Sequence, residues 1–134
     1  MTHPQLEALR KSEEAFANGD VDGALAFYHD DCVLHVPGRH SFAGDYTGKD
    51  VALSLFGSLQ ERYSPTSVEN VAYFADDEHG IILMRATAAR GDRTFEEQLV
   101  SVLRFRDGKV SALWVIPFDQ AARDEWIEAG APST

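Results

Sequence analysis

The stretch from Gly80 to Val110 reads GIILMRATAARGDRTFEEQLVSVLRFRDGKV, and its pattern is the strongest indication of the fold class. Apolar and polar residues alternate through most of it, as in strands with one buried face. Gly91-Asp92 and Asp107-Gly108 interrupt the alternation with dipeptides typical of hairpin turns. The pattern predicts three strands, at about 80–90, 94–106 and 109–118, joined as an antiparallel meander.

A two-residue turn at Gly91-Asp92 places Ala86 opposite Glu97 on the next strand. Glu97 then lies within an otherwise apolar face, where an unpaired charge is costly. Two interpretations remain open: Glu97 lies near the sheet edge and reaches water or an arginine, or it is catalytic. The face comprises Ile82, Met84, Ala86, Ala88, Phe95, Glu97, Leu99, Ser101 and Leu103.

The segments before the meander are mostly helical in pattern. Pro4 suits a first helical turn. After it, Leu6, Leu9, Glu13 and Phe16 follow at three- and four-residue steps, as on one face of a helix. Asp20 is a candidate cap for a second helix that includes Tyr28 and ends at Asp30-Asp31. A strand at 32–36, a loop at 39–48, a helix from about 49 to 63 and a strand at about 67–75 follow. After the meander, Asp119 caps a short helix at 120–129.

Composition narrows the class of protein. The chain has 134 residues, which favours one domain over 1–134. Its net charge of −10 disfavours nucleic acids and anionic membranes as partners, since both attract basic patches. Cys32 is the single cysteine, so no disulfide forms within the chain. Without a signal-peptide pattern or a long apolar run, we expect a cytoplasmic protein.

The order of these segments resembles the nuclear-transport-factor-2-like superfamily, and within it the SnoaL-like polyketide cyclases and the ketosteroid isomerases. The residues that carry the resemblance are Asn18 to Gly23, Asp30-Asp31, Pro37-Gly38 and the hairpin Arg104 to Val110. The resemblance implies an α+β fold in which a cone-shaped, curved, mostly antiparallel sheet is wrapped by three N-terminal helices, with a short C-terminal helix. It also implies one deep pocket.

Comparison with the ketosteroid isomerase pattern implies a different chemistry for this chain. The position of that family's catalytic base falls on His35, and its two oxyanion donors fall on Ser12 and Ser101. Serine is a much weaker acid than the groups it replaces, so we do not expect ketosteroid isomerase activity. An imidazole titrates near neutral pH, and His35 with Glu97 would form a workable acid–base pair.

Other residues are candidates for contact with a ligand. The loop after the first strand carries Arg39, His40, Phe42 and Tyr46, which we expect at the pocket rim. On the last strand both alternating sets are apolar, and we favour Trp114 and Phe118 as pocket walls because large rings suit ligand contacts. The predicted ligand-binding residues are Ser12, Phe16, Arg39, His40, Phe42, Tyr46, Phe56, Met84, Ser101, Trp114 and Phe118.

Spacing also raises a metal interpretation. His29, Cys32 and His35 follow one another at three-residue steps, and all three side chains are zinc ligands in other proteins. The segment passes from a predicted helix end into a strand, which scatters the side chains, so we expect no metal. No phosphate-binding or dinucleotide motif occurs, and we expect no cofactor.

Two functions remain open. One is a cofactor-free enzyme that binds a small hydrophobic, ring-containing or polyketide-like molecule and catalyses isomerisation, cyclisation or dehydration with His35 as general base. The other is a non-catalytic dimeric module for ligand binding or protein docking. In both, the resemblance implies a homodimer through the outer sheet face, which carries Arg85, Gln98, Val100, Val102 and Arg104.

Overall fold

The computed structural model of the protein describes residues 3–129, which form four helices and six strands. The helices are α1 (Pro4–Ala17), α2 (Val21–Leu25), α3 (Lys49–Tyr63) and α4 (Gln120–Ala129). The strands are β1 (Tyr28–Val36), β2 (Gly44–Thr47), β3 (Pro65–Ala75), β4 (His79–Arg90), β5 (Arg93–Arg106) and β6 (Lys109–Pro117).

All six strands form one sheet in the order β2-β1-β6-β5-β4-β3. Every neighbouring pair is antiparallel except β1 and β6, which run parallel. The predicted pairing of β4 with β5 is confirmed, with Ala86 opposite Glu97 and Ile82 opposite Ser101. Register shifts in β1, β3 and β6 bend the strands, since a bulge adds local curvature. The α+β fold with a curved sheet is confirmed.

Two local predictions were wrong. The second helix ends at Leu25, and Tyr28 to Asp31 belong to β1 instead of the helix. Asp20 accepts a hydrogen bond from the Gly23 amide at 3.0 Å, but only one helical turn follows before the chain joins the sheet opposite Val110. The predicted loop at 39–48 contains β2, which pairs with β1 and forms an edge of the sheet.

The helices cover one face of the sheet and leave the other open. Leu9 of α1 is fully buried against β4 and β5, together with Ile82 and Leu103. At the opposite end, Trp126 of α4 is buried and its indole N–H donates to the Tyr63 carbonyl at 2.8 Å. None of the helices in residues 3–129 is long and apolar enough to cross a membrane.

Candidate functional site

A cavity of about 460 Å³ lies between the covered face of the sheet and the helices. Strands β4, β5 and β6 supply an apolar wall, and α1 and α3 close over it. Sites for small organic ligands commonly have volumes of roughly 300–1,000 Å³ and mostly apolar linings. The apolar lining includes Phe16, Leu53, Phe56, Leu59, Ile82, Met84, Ala86, Leu99, Leu103, Leu113 and Val115.

Some lining residues are also exposed to solvent, and they mark the opening. Phe56 on α3 is 45% exposed and Val68 on β3 is 53% exposed. The Phe56 ring lies 6.4 Å from that of Phe16 on α1, so two aromatic side chains flank the entrance. Lys49, at the start of α3, also lines the cavity, and its Nζ lies 3.4 Å from Asp30 Oδ1. An apolar molecule therefore meets an apolar entrance.

One polar cluster joins α1 to the edge strand β3. Glu13 Oε2 lies 3.4 Å from Asn70 Nδ2, and the same amide donates to the Tyr73 hydroxyl at 2.9 Å. Asn70 Oδ1 is buried and has no hydrogen-bond donor within residues 3–129. Burial raises the pKa of Glu13, because desolvation disfavours the charged carboxylate. Burial and the nearby charge of Glu13 raise the pKa of Tyr28, so its phenol stays protonated.

A second polar cluster lies where α4 meets the sheet. Arg123 Nη1 pairs with Glu97 Oε2, and the Tyr63 hydroxyl donates to the same oxygen. Both charged side chains are buried, with 5% of Glu97 and 11% of Arg123 exposed. Burial and the bond to Glu97 raise the pKa of Tyr63. Arg123 and Tyr63 line the cavity. Glu97 thus reaches an arginine, as one interpretation held, but from an interior strand instead of the sheet edge.

The predicted base does not lie in this cavity. His35 is on the open face of the sheet, where its Nδ1 lies 2.7 Å from Asp45 Oδ1 and its ring stacks on Trp114 at 4.5 Å. Its neighbours Leu34 and Val36 point inward and line the cavity. Since side chains alternate along a strand, the prediction that His35 points into the pocket was wrong by one position.

The alternation of side chains also contradicts the prediction for the last strand, β6. Leu113 and Val115 line the cavity, whereas Trp114 points to the open face. Phe118 follows the end of β6 and is 66% exposed. The prediction that Trp114 and Phe118 form pocket walls was therefore wrong, because the smaller branched side chains of β6 face the helices.

The predicted rim residues also lie elsewhere. His40 is buried and accepts a hydrogen bond from the Phe42 amide at 3.1 Å; burial lowers the pKa of its imidazole. Tyr46 donates to the Phe42 carbonyl at 2.9 Å, and Arg39 is exposed with its amide bonded to Asp124. The loop packs between β1, α3 and α4, so its side chains stabilise that corner and do not line the cavity.

Of the five other predicted ligand-binding residues, four line the cavity and one does not. Phe16, Phe56, Met84 and Ser101 line the cavity, and Ser101 Oγ lies 3.3 Å from Met84 Sδ. Their location agrees with the prediction, and ligand contact itself stays a prediction. Ser12 is buried but bonds the Ala24 carbonyl at 3.0 Å, which ties α1 to α2 outside the cavity. Ser12 is therefore a structural contact.

Four of the polar lining residues that the sequence interpretation missed are Glu13, Tyr28, Asn70 and Arg123. For Glu13 a signal existed, since it occupies the same helical stripe as Leu9 and Phe16. For the other three no local pattern distinguishes them from ordinary strand or surface positions. Within residues 3–129, no group of three or more metal-ligating side chains comes together.

A curved sheet that closes a cavity against helices defines an NTF2-like architecture, and several solved structures are similar to this one. Bal32a, from a soil-derived mobile gene cassette, superposes with a TM-score of 0.81 at 25% identity, over 92% of this chain and 95% of that one. An NTF2-like protein from Burkholderia pseudomallei gives a TM-score of 0.76 at 22% identity, over 94% and 98%. TerC, co-crystallized with polyporic acid, gives 0.73 at 20% identity, over 94% and 99%.

Sequence comparison defines the family more closely. The model of the SnoaL-like domain matches residues 9–113, so the chain belongs to the SnoaL-like domain family. The protein Rv0034 of Mycobacterium tuberculosis is 24% identical over 124 residues, which cover 90% of this chain and 94% of that relative. The matched region spans every element that lines the cavity except the end of β6 and α4.

Proposed function

We propose that this protein binds a small apolar molecule containing at least one ring in the cavity between the sheet and helices α1 and α3. The observation that carries the proposal is the cavity of about 460 Å³ with its apolar walls and its exposed apolar entrance. Burying apolar surface contributes about 25 cal/mol per Å², so such a lining favours an apolar occupant. Phe16 and Phe56 at the entrance favour a ring, because aromatic side chains stack on flat surfaces.

Polar groups at two places would orient the molecule. Asn70 on β3 lies two strands from β5, in the row of Met84 and Leu99. Glu97 is two residues from Leu99 along β5. With strands about 4.8 Å apart and about 3.4 Å per residue, the Cα atoms of Asn70 and Glu97 are separated by roughly 12 Å. A ligand that reaches both polar clusters would be about as long as two or three fused rings.

Thermal unfolding with added ligand tests the proposal. The probes are 2-tetralone, an apolar bicyclic ketone, and polyporic acid, which was co-crystallized with TerC. A ligand at one hundred times its dissociation constant stabilises the folded state by about 2.7 kcal/mol. For 134 residues the entropy of unfolding is about 0.28 kcal/mol/K, so the melting temperature should rise by about 10 °C.

A cavity-filling variant provides the control. Ala86 is buried and faces the cavity, so Ala86→Phe places a ring inside and should abolish the rise. Arg85 is the next residue on the same strand but faces outward and is exposed, so Arg85→Phe should respond like the unmodified protein. If neither probe raises the melting temperature, or if Ala86→Phe responds fully, ligand binding in this cavity is refuted.

We also propose that a second copy of the chain covers the open face of the sheet. Two adjacent rows across that face are apolar, and Phe74 and Ile116 within them are 53% and 40% exposed. Contiguous exposed apolar surface of this kind is typical of a contact site. The rows are Phe74, Ile81, Val102 and Trp114, and beside them Ala72, Leu83, Val100 and Ile116.

A further inference from the structure

A polar cluster of three side chains lies at the α4 end of the cavity. Tyr63 is the last residue of α3, Glu97 lies on β5 and Arg123 lies on α4, so three elements meet there. Tyr63 and Arg123 line the cavity, and Glu97 lies behind them, bonded to both. The side chains packed around the cluster are apolar, namely Ala86, Leu99, Trp126 and Ile127. The cluster is therefore a polar spot in an apolar wall.

The guanidinium of Arg123 has donor groups that the fold does not use. The side chain is 11% exposed, and its Cζ lies 4.8 Å from the centroid of the Tyr63 ring. Within residues 3–129 the guanidinium donates through Nη1 to Glu97 Oε2, and its other nitrogens have no acceptor there. Every nitrogen of a guanidinium carries an N–H group, and a buried donor without an acceptor costs free energy. These N–H groups therefore favour an acceptor atom on a molecule bound in the cavity.

The same cluster also has unused acceptor groups. The Tyr63 hydroxyl donates its proton to Glu97 Oε2, so the lone pairs of the Tyr63 oxygen remain available. Burial and this hydrogen bond raise the pKa of Tyr63, which keeps the phenol protonated. Glu97 Oε1 is buried and has no donor in the part of the chain that the structure describes. The cluster can thus donate to and accept from one polar group of a ligand.

The charge of the cluster determines which polar group suits it. An arginine commonly binds a carboxylate, because the two groups form parallel charge-assisted hydrogen bonds. Here Glu97 already neutralises Arg123, so a ligand carboxylate would bring an uncompensated negative charge into an apolar site. A neutral hydroxyl group avoids that cost, since its oxygen accepts a hydrogen bond and its proton donates one.

We propose that Arg123 and Tyr63 determine ligand specificity by selecting an apolar ring compound that carries a neutral hydroxyl group, an inference that rests on the ligand binding proposed above. The ligand oxygen accepts from a free N–H group of Arg123, and the ligand O–H donates to the Tyr63 oxygen. Glu97 is a positioning residue. Its carboxylate holds the guanidinium in place and takes the Tyr63 proton, which leaves the Tyr63 oxygen as the acceptor.

Isothermal titration calorimetry at neutral pH with three naphthalene derivatives tests the polar contact. 2-Naphthol carries the hydroxyl group, 2-methoxynaphthalene lacks its proton, and 2-naphthoate carries a negative charge. 2-Naphthol should bind at least about 10-fold more tightly than 2-methoxynaphthalene, although the ether is the more apolar molecule, because the ether cannot donate to Tyr63. 2-Naphthoate should bind at least about 10-fold more weakly than 2-naphthol, because Glu97 has already neutralised the arginine.

Variants locate the preference for the hydroxyl group. Tyr63→Phe removes the acceptor, so 2-naphthol and 2-methoxynaphthalene should then bind within about threefold of each other. Tyr46→Phe removes a hydroxyl that bonds the Phe42 carbonyl outside the cavity, and it should keep the full preference. In the double variant of Arg123→Met and Glu97→Leu, apolar groups replace the ion pair, so the ether should bind at least as tightly as 2-naphthol. A general loss of stability lowers both affinities together and leaves their ratio unchanged.

The outcomes separate failure of this inference from failure of ligand binding. If 2-naphthol binds no more tightly than the ether or 2-naphthoate, or if Tyr63→Phe or the double variant keeps the preference, the role of Arg123 and Tyr63 is overturned and ligand binding stands. The same holds if no naphthalene derivative binds while 2-tetralone or polyporic acid stabilises the protein. If none of these compounds binds, both proposals are overturned. A preference for 2-naphthol that Tyr63→Phe removes and Tyr46→Phe keeps supports both.

Discussion

Replacement of Arg123 with methionine should destabilise the protein severely, because it breaks a buried ion pair. In Arg123→Met, Glu97 stays 95% buried and keeps one donor, the Tyr63 hydroxyl. Removing one partner of a buried pair typically costs about 3–5 kcal/mol. An unfolding entropy of about 0.28 kcal/mol/K for 134 residues converts this to a fall in melting temperature of about 11–18 °C.

Differential scanning calorimetry and urea unfolding measure the effect, and two further variants locate its cause. Adding Glu97→Leu to Arg123→Met removes the stranded charge, so the double variant should be more stable than the single one. Arg85→Met breaks an exposed pair with Glu69, at 3.6 Å, and should cost no more than about 1 kcal/mol. If Arg123→Met loses less than about 1 kcal/mol, or if the double variant is the less stable, the assignment of this cluster as a buried ion pair is wrong.

Four further outcomes follow from the same structure. Glu13→Gln should raise the free energy of unfolding at pH 7 and leave it unchanged near pH 3. Because the pKa of Glu13 is higher in the folded than in the unfolded protein, the glutamate destabilises the fold increasingly as pH rises from the unfolded-state pKa to the folded-state pKa, and the loss persists above it. Equal unfolding free energies of the two proteins at pH 7 would contradict this. Burial raises the pKa of the Cys32 thiol, so its reaction with an aromatic disulfide reagent should be slow in the folded protein. Because Cys32 lines the cavity, the reaction should be slower still with 2-tetralone, as measured by the absorbance of the thiolate that the reagent releases. His35→Ala should leave the stabilisation by 2-tetralone unchanged, because the imidazole lies on the open face; loss of that stabilisation in thermal unfolding would contradict this placement. Val102→Glu should convert a dimer to a monomer in light scattering while ligand stabilisation persists; a dimer of unchanged mass would remove the open face as the contact.

The sheet was predictable because its signals are local. Hairpin dipeptides at Gly91-Asp92 and Asp107-Gly108 determine the register, and alternation then determines which residues share a face. The β1 segment was harder, since it pairs in parallel with β6, a strand more than seventy residues later. No local pattern reveals such a partner, and the start of β1 at Tyr28 was therefore assigned to a helix.

The cavity residues were predictable only where one face is clearly apolar. On β4 and β5 the apolar set identified Met84 and Ser101 as lining residues. On β6 both faces are apolar, because one meets the helices and the other forms the open face, so alternation alone cannot choose between Trp114 and Leu113. On β1 the position of a family base was transferred to His35, although its neighbours Leu34 and Val36 are the inward residues.

The two carboxylates in the interior show how a charge balance distinguishes structure from function. Glu97 has a cation and a phenol as partners, so its charge is compensated and its loss is felt mainly in folding. Glu13 has a weak neutral partner, and a glutamine there would satisfy the same amide without the cost of burying a charge. A residue that lowers stability where a neutral isostere would not is expected at sites of function, because activity and stability compete there.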